Sequence, residues 1–83
     1  MELIPANVSV LEALMRENPD IQFTIVTHLE GHYTVTIQGN TEYIMFTQRD
    51  VLRTFSTADA AIRFLNKIGA RNVRVCLKGM VSK

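Results

Sequence analysis

Apolar residues recur at helical spacing in two stretches of this chain and alternate with polar ones between and after them. Val10, Leu11, Leu14 and Met15 form the first helical stripe. Ser9 and Glu12 have the spacing of a capping box, with Val8 and Ala13 placed as its hydrophobic staple. Asn18-Pro19 stops the helix, because a residue before proline avoids the α region. This predicts a short helix from about Val10 to Glu17. The second stripe is Ala58, Ala61, Ile62, Leu65 and Ile68, with Ser56 or Thr57 as its N-cap and Asp59 in its first turn. Gly69 follows as a natural C′ residue.

The alternating stretches predict strands whose register can be worked out. Ile21, Phe23 and Ile25 alternate with Gln22 and Thr24, and Tyr33, Val35 and Ile37 with Thr34, Thr36 and Gln38. A two-residue loop at Glu30-Gly31 would put the two apolar sets on opposite faces. A three-residue loop, Leu29-Glu30-Gly31 with Gly31 left-handed, pairs Ile25 with Val35 and Phe23 with Ile37, so it is preferred. A two-residue loop at Gly39-Asn40 then pairs Val35 with Ile44 and Tyr33 with Phe46. Val51 to Phe55 reads as a fourth strand, entered through Gln48-Arg49-Asp50, and Val73, Val75 and Leu77 alternate as a last one.

The expected fold is a two-layer α+β domain spanning residues 1–83, in the order α-β-β-β-β-α-β. Its antiparallel sheet has four or five strands, with both helices on one face. The expected core gathers Phe23, Ile25, Val35, Ile37, Ile44, Phe46, Ile62 and Leu65. The opposite face then carries Thr24, Val26 and His28, beside His32, Thr34 and Thr36, beside Tyr43, Met45 and Thr47. No third layer remains to cover it. The threonines suit a solvated face. Val26, Tyr43 and Met45 give it an adhesive centre, so Val26, His28, Thr34, Thr36, Tyr43 and Met45 are the candidate protein-binding or dimer face.

Charge sharpens this picture. Up to Gln48 there are six acids against the single base Arg16 (net −5), and from Arg49 on eight bases against Asp50 and Asp59 (net +6). Arg63 and Lys67 lie one helical turn apart, and Arg71 and Arg74 follow, making a candidate basic surface. It either tracks a phosphate backbone or fits an acidic protein surface. The helix–three strands–helix order is similar to that of double-stranded RNA-binding domains, which carry a lysine cluster at the start of the last helix. Ser56-Thr57-Ala58-Asp59 stands there instead.

Catalytic and metal chemistry find little to work with. His28 and His32 pair across the first hairpin with Glu30 between them, but no fourth zinc ligand is placed near them. Ser9 and Ser56 act as caps, Cys76 is a strand residue, and no acid–base pair sits near a nucleophile. Gly69 and Gly79 are isolated, so no phosphate-binding glycine loop exists. The expectation is no enzyme, no metal and no cofactor. One cysteine among 83 residues suits a reducing cytoplasm. No apolar run approaches the roughly 20 residues of a membrane span, and the first residues lack the pattern of a signal peptide. A core this small also favours dimerisation.

The stretch Leu52-Arg53-Thr54-Phe55-Ser56-Thr57-Ala58-Asp59-Ala60-Ala61, followed by Phe64-Leu65, Gly69 and Val73-Arg74-Val75, resembles small accessory proteins of plasmids and integrative elements, some of them partition-associated. The resemblance covers about the last 30 residues and implies a mobile-element role without catalysis. The expected function is therefore a non-enzymatic, cytoplasmic, homodimeric protein-binding accessory module of a plasmid, phage or other mobile element. Two alternatives stand beside it. One is direct nucleic-acid binding through the basic C-terminal portion; the other is inhibition of a host defence or nuclease complex, with the acidic N-terminal portion imitating nucleic acid.

Overall fold

Each helix forms where an apolar stripe lies and is closed by the groups its ends require. In the computed structural model, which describes residues 3–28 and 31–76, α1 runs over Val8–Glu17 and α2 over Ala58–Lys67. Asn7 rather than Ser9 caps α1, its Oδ1 accepting from the Val10 N–H at 3.1 Å. The helix thus starts two residues earlier than the capping box suggested. Thr57 caps α2, its Oγ1 accepting from the Ala60 N–H at 3.0 Å. After α2 the chain turns at Gly69 with φ +95°, and nothing lies within 4 Å of where a Cβ would stand. Gly69→Ala should therefore cost only the left-handed backbone term, about 1–2 kcal/mol, measurable by urea denaturation.

Among the described residues five strands form one sheet in the order β1-β4-β3-β2-β5: β1 (Ile4–Ala6), β2 (Gln22–Thr27), β3 (Tyr33–Gln38), β4 (Glu42–Met45) and β5 (Asn72–Cys76). The first hairpin has the expected register, with Ile25 opposite Val35 and Phe23 opposite Ile37, and Gly31 has φ +79°. Leu29 and Glu30 of its loop lie outside the described residues, as does Leu77 of the last strand. The sheet is mixed rather than wholly antiparallel, because β1 pairs parallel to β4 and β5 parallel to β2. Four strands thus share one direction and β3 alone opposes them.

This topology explains why one face carries neither helix. The crossover from β1 through α1 to β2 and the crossover from β4 through α2 to β5 both step across the sheet in the same sense. With the usual handedness of parallel crossovers, both helices must land on the same face. Leu11 of α1 and Ala61 and Leu65 of α2 accordingly share one core with Phe23, Ile25, Val35 and Ile37.

The second hairpin departs from expectation by one residue. Its loop is Gly39-Asn40-Thr41, closed by the Gly39 N–H donating to the Thr41 carbonyl at 3.1 Å, so Gln38 faces Glu42 and Ile37 faces Tyr43. A one-residue slip exchanges the faces of a strand. Met45 is therefore 1% exposed and Tyr43 packs against the core, whereas Ile44 and Phe46 lie outside it. Ile62 also leaves the expected core, being 40% exposed.

The expected fourth strand, Val51 to Phe55, is reduced to two isolated bridges, Phe46 with Leu52 and Tyr33 with Phe55. Within the Phe46–Leu52 bridge a tight turn is held by Thr47, whose N–H donates to the Val51 carbonyl at 2.7 Å and whose Oγ1 accepts from the Arg49 and Val51 N–H groups. The chain then returns under the end of β4, where the Arg53 N–H donates to the Met45 carbonyl at 3.0 Å. Phe55 and Tyr33 exchange two backbone hydrogen bonds of 2.8 Å, which delivers Phe55 to the core ahead of α2.

Candidate protein-binding face

Pairing across the strands places the uncovered face row by row. Glu42, Gln38, Gln22 and Asn72 make a polar first row, since each faces the next across the sheet. Pro5, Ile44, Thr36, Thr24 and Arg74 make the second. Thr34, Val26 and Cys76 make the third, continued by Phe46 and Leu52 beyond the end of β4. Val26, Ile44, Phe46 and Leu52 are each partly buried, yet none belongs to the core or packs against it. They give a band of branched and aromatic side chains beside three threonines, with charge confined to the rim at Glu42 and Arg74.

Of the six residues expected on this face, the sheet places Val26, Thr34 and Thr36 there. Thr34 is only 4% exposed, because its Oγ1 donates to the Arg53 carbonyl at 3.3 Å as the return segment passes over it. His28 stands exposed at the hairpin end, where its N–H donates to the His32 carbonyl at 2.6 Å. Tyr43 and Met45 belong to the core instead, for the register reason given above. Ile44, Phe46 and Leu52 take their place. The run Tyr43-Ile44-Met45-Phe46 is apolar at every position and so carries no alternation, which left the loop length to decide which pair faced inward.

The four basic residues do not form one surface. Arg63 and Lys67 lie on the exposed side of α2, and Arg63 Nε is 3.1 Å from Asp59 Oδ2. Arg74 projects from the opposite face of the sheet, beside Thr24, with both layers of the domain between them. Arg71 sits in the connection from α2 to β5.

Arg53 is a feature that strand reasoning passed over. Its guanidinium carbon lies 4.9 Å from the centre of the Phe55 ring and 5.0 Å from that of Phe64, and the two rings are 5.7 Å apart. Its Nε is buried with no hydrogen-bond acceptor among the described residues. Stacking on two ring faces is the interaction that holds this cation, and it pins the return segment to α2. The sequence carried a signal: Arg53 has the same parity as the core residue Phe55.

Among the described residues, no three His, Cys, Asp or Glu side chains converge where they could hold a metal ion. A cavity of about 130 Å³ between the end of α1 and the β3–β4 turn, lined by Leu14, Ile21, Asn40 and Tyr43 among others, is well below the usual size of a ligand pocket. Among the described residues no helix is long and apolar enough to cross a membrane. No family model, curated protein or solved structure matches this chain.

Proposed function

We propose that this chain is a non-enzymatic protein-binding module that docks through its uncovered sheet face. The observation that carries this reading is the band of Val26, Ile44, Phe46 and Leu52, which lies outside the core on a face that neither helix covers. A central apolar band with polar residues around it is the anatomy of a protein interface. A mobile-element origin and an accessory role rest on the resemblance of residues 52 to 75 alone. The partner is a foreign protein or a second copy of the chain, and one substitution addresses both.

Ile44→Lys should keep the parent melting temperature, because a lysine at a partly buried sheet position outside the core can extend its stem along the sheet and carry its charge to water. It should also abolish the association, read as a shift to monomer in sedimentation if the parent dimerises. If the parent is monomeric, Ile44→Lys should no longer retain the protein that the parent captures. An Ile44→Lys chain that associates as the parent does would overturn the reading. The scattering of Arg63, Lys67, Arg71 and Arg74 over both layers favours protein over nucleic acid as the partner. Duplex binding should be no tighter than about 10 micromolar at physiological salt, in the non-specific range, as a gel shift would read.

A further inference from the structure

We infer that the β5 edge of the sheet is a second docking element, which accepts an extended acidic segment of a partner protein as an added strand. The inference shares with the preceding proposal a protein partner and the rim of that face at Arg74 and Cys76; the docking contact here is the backbone edge of β5.

The two edges of this sheet are unequal. At one end β1 is three residues long and carries Pro5, which has no N–H to offer, so that edge is short and interrupted. At the other end β5 is five residues long, contains no proline, and is paired on one side to β2 over its whole length. Among the described residues no strand pairs its other side, and a strand edge of this kind is a template for a further strand. It is also held straight at its start, where the Asn72 side-chain amide donates to the Asp20 carbonyl at 2.9 Å.

Charge and symmetry then choose the occupant. Arg71 leads into β5 and Arg74 stands at its midpoint, both exposed, and β5 contains no acid. A second copy pairing antiparallel about a two-fold axis over all five residues would set Arg74 directly opposite its own counterpart. Like charges opposite one another across strands are unfavourable. Shifting the axis to Val73 or Val75 relieves that contact but leaves only three paired residues of β5. An acidic strand meets neither difficulty, because a glutamate or aspartate opposite Arg74 pairs with it. Val75, 40% exposed on the helix side, offers an apolar contact to the alternate residues of the incoming strand.

The test uses the whole chain, nitrogen-15 labelled, with a blocked synthetic peptide of about six alternating valines and glutamates, a usual strand length. Its companion replaces each glutamate by lysine. The glutamate peptide should slow amide exchange within residues 72–76 and bind about two- to tenfold more tightly than the lysine peptide. Arg74→Glu, at an exposed site, should invert that preference at an unchanged melting temperature. N-methylation of alternate peptide amides should abolish binding. Ile44→Lys should leave the protection of β5 intact, which separates failure of this edge from failure of the sheet face. The inference is overturned by equal binding of the two peptides, or by protection that appears elsewhere than β5 or not at all. A parent dimer whose β5 amides are already protected, or a duplex that protects β5 where the glutamate peptide does not, overturns it equally.

Discussion

Met45→Lys should unfold this domain at room temperature, whereas Ile44→Lys, one residue away, should leave it folded. Met45 is 1% exposed and lies in β4 between Ala6 of β1 and β3, on the side that α1 and α2 cover. A lysine there must either bury an unpaired ammonium, lose its proton, or force the strand from its place. Each costs several kcal/mol. At about 0.05–0.15 kcal/mol per residue, a chain of 83 residues has about 4–12 kcal/mol in total. Far-ultraviolet circular dichroism and a urea titration of the two variants would decide it. A folded Met45→Lys beside an unfolded Ile44→Lys would return β4 to the two-residue loop and reverse its faces.

That pair of variants marks the point where the sequence stopped specifying the fold. The first hairpin was legible because Phe23 and Ile25, and Val35 and Ile37, alternate with polar residues, so only one register buries both sets. β4 has no such contrast. Its inward residues are fixed by the three-residue turn at Gly39-Asn40-Thr41 and by β1 on its other side. β1 was itself illegible, since three residues with a central proline show neither alternation nor β propensity. It is a strand because Ala6 is small enough to be buried against Met45 and because its carbonyl accepts from the Phe46 N–H at 2.9 Å.

The candidate site divides along the same line. Val26, Thr34 and Thr36 were readable from the first hairpin, and they are on the uncovered face. The β4 contribution inverted with the register, so Ile44 and Phe46 replaced Tyr43 and Met45. The helix-free face itself survives that inversion, because it follows from two same-sense crossovers rather than from any side chain. The basic cluster failed for a different reason. Arg63 and Lys67 on a helix can be placed together from spacing alone, but Arg74 lies on a strand whose parity sends it through the sheet. Linear proximity of charges said nothing of which layer each would join.

Phe23→Ala should be the most damaging truncation in the core, at about 3–5 kcal/mol. Phe23 is fully buried in β2, which is flanked by β3 on one side and β5 on the other. Its direct neighbours are Ile37 and Val73. The site cannot collapse easily, since both flanking strands are held by full ladders of hydrogen bonds. The cavity would therefore persist, which places the cost toward the upper end of the range. With an m-value of about 1 kcal/mol per molar urea for a protein this small, the midpoint should fall by about 3 M or more. Val75→Ala supplies the contrast. Val75 lies two residues beyond Val73 on the same strand and face but is 40% exposed, so its truncation should cost under about 1 kcal/mol. Similar midpoints for the two variants would mean that the centre of the sheet is not where the helices press, and the two-layer packing on Phe23 would have to be abandoned.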